Sequence, residues 1–181
     1  MTKLERRALE WIEPYWNAEH LVRTRDWLLE LDPEAEEALR LAALTHDMER
    51  HFPGGPVQDL SLWPKEDGEY RRAHCERSAR IVGEWLRAEG ADDALAREVE
   101  RLIRVHESGG GPDEDLLQAA DSISFLETNQ ELMVTWFTSG RCGRDRAKAQ
   151  LGWMLERIGI ERARSLAEPL YEEAIAAVDS A

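Results

Sequence analysis

Four histidines, His20, His46, His74 and His106, each fall on the apolar stripe of a different segment with helical periodicity. Trp16, His20, Thr24, Trp27 and Leu31 follow one another at spacings of four, four, three and four residues, which places them on one helix face. Leu39, Ala42, Ala43 and His46 form a second such stripe; Tyr70, His74, Ile81 and Trp85 a third; Val99, Leu102, Ile103 and His106 a fourth. A fifth stripe, Leu117, Ala120, Asp121 and Ser124, carries an aspartate instead. One inward histidine is ordinarily a hydrogen-bonded core residue. Five inward polar groups on five helices each need a partner, because an unpaired buried polar group costs roughly 1–3 kcal/mol. A shared metal site satisfies them together and requires the helices to face one another, as in a bundle.

Composition agrees with that demand. Ala, Leu, Glu, Arg and Lys supply 92 of the 181 residues, whereas Val, Ile and Thr supply 20, so the expected fold class is all-α. With 23 basic against 37 acidic residues the net charge is −14, which argues against nucleic acid or an anionic membrane as partner. The longest stretch without Asp, Glu, Lys or Arg is nine residues, Leu132 to Gly140, far below the roughly 20 apolar residues of a membrane span. The opening Met-Thr-Lys-Leu-Glu-Arg-Arg has no apolar signal core. Two cysteines, Cys75 and Cys142, form no Cys-x-x-Cys pair, which excludes a disulfide framework or a thiolate zinc cluster. A cytoplasmic protein is expected.

Punctuation divides the chain. Helices are predicted from Thr2 to about Glu13, about Tyr15 to Leu31, Asp32-Pro33 to about Glu49, about Tyr70 to Ala88, about Asp92 to Glu107, and from Pro112 onward. Pro53, Gly54, Gly55, Pro56, Pro64 and Gly68 make residues 51–69 a long loop, a length usually associated with function or disorder. Two or three more helices follow, with breaks at Gly140 to Gly143 and at Gly159. No repeat or domain boundary is visible, so residues 1–181 read as one helical domain, with a motif-bearing core over about 18–128 and added helices over about 129–178. The tryptophans fall mostly at helical spacing and are expected in the core.

Imidazole and carboxylate donors without thiolate suit divalent iron, manganese, cobalt, nickel or zinc. Adjacent residues on a helix are offset by about 100°, so His46 and Asp47 reach one ion only from a helix end. Their context, Leu-Ala-Ala-Leu-Thr-His-Asp-Met-Glu-Arg at 41–50, resembles the HD-domain metal-dependent phosphohydrolase superfamily. Its pattern His…His-Asp…Asp is carried by His20, His46, Asp47 and Asp121. His74 and His106 match the six-ligand variant, His…His-Asp…His…His…Asp. Successive elements lie 26, 27, 32 and 15 residues apart, and the likeness spans about residues 18–128. The resemblance implies an HD-type bundle and two metals per chain, with iron or manganese favoured. Asp47 would bridge the ions, His20, His46 and Asp121 would complete the first, and His74 with His106 would hold the second. It further implies hydrolysis of a phosphate ester or anhydride by metal-activated hydroxide, in a nucleotide or another small phosphorylated metabolite.

Phosphate calls for cations, supplied here mostly as arginine. Arg50, three residues after Asp47, matches a position where such hydrolases often carry Lys or Arg facing phosphate, and joins Asp47 as a catalytic candidate. Arg23, Lys65 and Arg72 are further substrate-binding candidates, and Arg71 flanks the same loop. Two alternatives share the pattern: a mixed-valent di-iron oxygenase of the HD fold, and a non-enzymatic module that senses a nucleotide. A homo-oligomer is left open.

Overall fold

The structure is a computed structural model that describes residues 1–181. It is all-helical: α1 (Lys3–Ile12), α2 (Ala18–Leu31), α3 (Glu37–Thr45), α4 (Gly68–Ala88), α5 (Asp93–Val105), α6 (Pro112–Thr128), α7 (Gln130–Thr138), α8 (Arg144–Glu156) and α9 (Glu161–Ser180). A 3-10 turn, Met48–His51, follows α3. No helix is long and apolar enough to cross a membrane.

Local chemistry sets the ends. Thr2 and Glu5 form a reciprocal capping box at α1, satisfying otherwise orphaned amides. The Asp92 carboxylate accepts from the Leu95 amide and starts α5. Gly90, at φ +86°, ends α4 in the left-handed region that glycine enters without a Cβ clash. Inside α4, Gly83 leaves room for Glu100 of α5, whose Oε1 would lie 1.7 Å from an added Cβ.

Two apolar cores share one wall. The larger, 22 buried residues from α1 to α6, includes Ile12, Leu28, Leu44, Leu86, Leu102 and Leu117. The smaller, 12 buried residues, joins α6 to α7, α8 and α9 through Ile123, Leu126, Met133, Leu151 and Ala167. Helix α6 presents Leu117 and Ala120 to the first core and Ala119, Ile123 and Leu126 to the second. Asp121 lies between those faces.

Four sequence expectations change. Asp32-Pro33 does not open a helix: the Asp32 carboxylate captures the Glu34 amide at 3.0 Å in a side-chain turn, and α3 starts at Glu37. That helix also stops at Thr45 rather than Glu49, for a reason given below. Helix α2 begins at Ala18 instead of Tyr15, because residues 13–17 form turns after Pro14. Among the tryptophans, Trp11 and Trp85 stack at 4.5 Å against the larger core, but Trp16 is 63% exposed.

Candidate metal centre

Each candidate ligand arrives from a different place on the bundle. His20 comes from α2, His74 from the middle of α4 and Asp121 from α6. His46 and His106 cap the C-termini of α3 and α5. After His46 the backbone leaves the helix, with Asp47 at φ −99° and ψ 4°, and the Ser78 hydroxyl donates to the His46 carbonyl. This turn removes the helical offset between neighbours, so His46 and Asp47 enter the same interior. All six residues are buried, each at most 4% exposed.

The histidines share one orientation. Nδ1 of His46 lies 3.1 Å from the Ala43 carbonyl and that of His106 2.7 Å from the Ile103 carbonyl. His74 Nδ1 contacts Glu49 Oε1 at 2.9 Å, and His20 Nδ1 contacts Ser124 Oγ at 2.9 Å. A carbonyl or carboxylate oxygen only accepts, so Nδ1 of His46, His74 and His106 carries the proton, and in the neutral ring Nε2 presents a lone pair. Those lone pairs meet oxygen: His46 Nε2 is 3.4 Å from Asp121 Oδ1, and His74 Nε2 is 3.0 Å from Asp47 Oδ1. Both Nε2 atoms are buried and have no hydrogen-bond partner; the short His74–Asp47 approach lacks hydrogen-bond alignment. A neutral imidazole lone pair facing a carboxylate is repelled unless a proton or a metal cation lies between them; burial and Arg50 disfavour a proton on His74, but Asp47 and Glu49 outweigh them and raise its pKa.

The donors form three overlapping groups, His20–His46–Asp121, His46–Asp47–His106 and His74–His106–Glu107, each with its ligand atoms within 4.8 Å of one another. These groups could hold metal ions. Glu49, held by Arg77 at 2.7 Å, fixes His74 from behind, the arrangement that sets tautomer and ring direction in metal sites.

Fixed cations counter the buried carboxylates. Burial opposes the charge on Asp47, yet Arg50, His74 and His46 outweigh it and hold the carboxyl well below the usual range. Asp121 behaves alike: burial raises its pKa, and Arg157 with His46 and His20 brings it well below normal. Glu107 is lowered against burial by Arg157. The Arg157 side chain, 3% exposed, reaches Asp121 Oδ2, Glu107 Oε2 and Ser122 Oγ together.

A cavity of about 350 Å³ opens onto this centre. His20, Asp47, Arg50, Glu107 and Asp121 line its floor, and Trp16, Tyr70, Phe125, Trp136 and Trp153 supply aromatic surface. Arg50 Nη1 pairs with Asp47 Oδ2 at 2.9 Å, while its buried Nε has no partner. The remaining cation candidates lie elsewhere. Arg23 holds Glu127 through two bonds of 2.8 and 2.9 Å and sits over Trp27, so it braces α2 against α6 and is absent from the cavity lining. Lys65 pairs with Glu156 on the surface. Arg72, 72% exposed at its side chain, lines a neighbouring depression with Arg71, Arg104 and Arg157.

Several site residues had no sequence signal. Arg157 lies outside any motif, in the C-terminal helices. Glu107 follows a candidate ligand directly, and Glu49 lies within the His-Asp segment, but neither position distinguishes a ligand or brace from a surface acid. Cys75 is buried with Sγ 3.5 Å from His106 Nδ1. No family model, curated protein or solved structure matches the chain.

Proposed function

We propose that the protein is a metal-dependent phosphohydrolase of the HD type, acting on a nucleotide or another small phosphorylated metabolite. The observation that carries the reading is the pair of buried, unpartnered Nε2 atoms of His46 and His74 facing Asp121 and Asp47 at the floor of a cavity. His20, His46 and Asp121 would hold one ion and His74 with His106 another; Asp47 groups with His46 and His106, and Glu107 with His74 and His106, as further donors. Divalent cations held by these residues would supply positive charge to a phosphoryl group and acidify water.

The protein's own groups complete the setting. Arg50 keeps unengaged donors at the floor and is suited to hold two phosphoryl oxygens in one plane. Its pKa is raised well above normal, burial being outweighed by Asp47, so it stays charged while it does so. Arg157 binds one oxygen of Asp121 and leaves Oδ1 directed at His20 and His46. Burial of the floor residues strengthens the interactions of these charges.

The test is a phosphatase screen over nucleotides and phosphorylated metabolites with manganese, iron, cobalt, nickel or zinc, alongside metal analysis of the purified protein. Turnover with metal in the wild type, lost in His46→Ala and Asp47→Ala, is expected. Activity unchanged in both variants would sink the mechanism.

A further inference from the structure

The cavity is electrically divided. Its carboxylates, Asp47, Glu107 and Asp121, are gathered at the buried floor, where Arg50 and Arg157 pair with them. Two other guanidiniums line the same cavity, and neither has a carboxylate within the 4.0 Å of an ion pair. Arg71, on the first turn of α4, donates to the Pro64 carbonyl and lies 5.2 Å over the Trp153 ring. Arg141, in the turn between α7 and α8, lies 5.4 Å over the Trp136 ring. In a chain of net charge −14, where most guanidiniums are paired with Asp or Glu, two unpaired ones on a single cavity are a strong local departure.

We infer that the cavity takes a substrate with two anionic ends: a phosphoryl group at the Arg50 floor and a second carboxylate or phosphate held by Arg71 and Arg141. The inference rests on the phosphohydrolase reading for the first end only. Its own support is the second pair of cations. Both guanidiniums lie within cation–π distance of an indole, an interaction that leaves N–H groups available for an anion. The same cavity carries apolar surface from Tyr70, Phe125, Leu132 and Met154, suited to a carbon skeleton rather than to a further charge. Arg71 and Arg141 are thereby specificity residues.

The test uses butane-1,4-diphosphonate and butylphosphonate, which cannot be hydrolysed, in calorimetric titrations of manganese-loaded protein, with shorter and longer diphosphonates to vary the span. At least tenfold tighter binding of the best diphosphonate is expected, falling to parity in Arg71→Gln/Arg141→Gln while butylphosphonate binding stays unchanged. Parity in the wild type, a preference that survives the double variant, or no binding of either probe overturns the inference. Phosphate esters of hydroxy acids and bisphosphates, compared with matched monophosphates, then report the same discrimination in kcat/KM. A diphosphonate preference without turnover of any ester removes the phosphohydrolase reading and leaves the two-anion site standing.

Discussion

The two cores make their contributions to the candidate site by different means. The larger core delivers His20, His46, Asp47, His74 and His106 from α2 to α5, on side chains whose spacing repeats the helical period. The smaller core, built by α7, α8 and α9 on the back of α6, delivers Arg157, Trp136, Trp153 and Arg141. The first set would hold metal and needs donors fixed within tenths of an ångström; the second compensates charge and shapes the opening. The first set projects from the interiors of α2 and α4 at His20 and His74 and from the ends of α3 and α5 at His46, Asp47 and His106, whereas Trp136 and Trp153 lie within α7 and α8 and Arg141 and Arg157 just after them.

Removing a ligand separates the two contributions most strongly. Asp47→Asn is expected to abolish metal-dependent turnover while the circular dichroism of the bundle persists, because its loss empties the centre without touching either apolar core. Glu49→Gln, one step back, should weaken metal affinity or activity by about 10–100-fold through misorientation of His74, measured by competition with a metal-sensitive dye. Equal affinity in that variant would show that the larger core alone orients the ring.

Arg157→Ala tests the bond between the cores. It leaves Asp121 and Glu107 buried without their shared cation, a change expected to cost about 3–5 kcal/mol in metal-free protein. Added manganese should recover part of that loss in a thermal melt, since it supplies positive charge to the same carboxylates. Leu151→Ala addresses the smaller core directly and should cost about 2–5 kcal/mol. One shifted transition would show that both cores unfold together, whereas a new early transition would show that α7 to α9 detach first.

The smallest effect concerns the brace between α2 and α6. Burial disfavours the Glu127 charge, but hydrogen bonds from Arg23 and Trp27 lower its pKa below the ordinary glutamate value. A folded-state pKa below the unfolded one stabilises the protein above the unfolded value and loses that contribution as pH falls through the folded one. Glu127→Gln should therefore cost about 1 kcal/mol at neutral pH. The difference from wild type should vanish in acid, as read by denaturant titrations across pH 3–7.

The difference between the cores also sets what could be read from the chain. Histidines on apolar stripes are conspicuous because the helical period fixes which neighbours share a face, and that logic placed His20, His46, His74, His106 and Asp121 in one buried cluster. The exit at Asp47 was legible only as a need, since adjacent ligands cannot share a straight helix. Arg157 was illegible: an arginine near a helix end is ordinarily solvated, and only the packing of α8 on α6 carries it to Asp121. Arg23 failed in the opposite sense, because its proximity to His20 in sequence did not reveal Glu127, which lies 104 residues away. Trp136 and Trp153 had core-like spacing, yet both line the cavity.

The loop after the 3-10 turn is fastened by guanidiniums on its main chain: Arg77 holds the carbonyls of Phe52 and Pro53, Arg71 that of Pro64, and Arg146 that of Leu62. Such attachment is indifferent to the side chains of the residues being held. The cavity-facing positions of that loop, Pro56, Val57 and Gln58 among them, are therefore free to diverge without releasing it. A lineage could retune what the cavity admits by point changes there, with the ligand-bearing bundle left untouched.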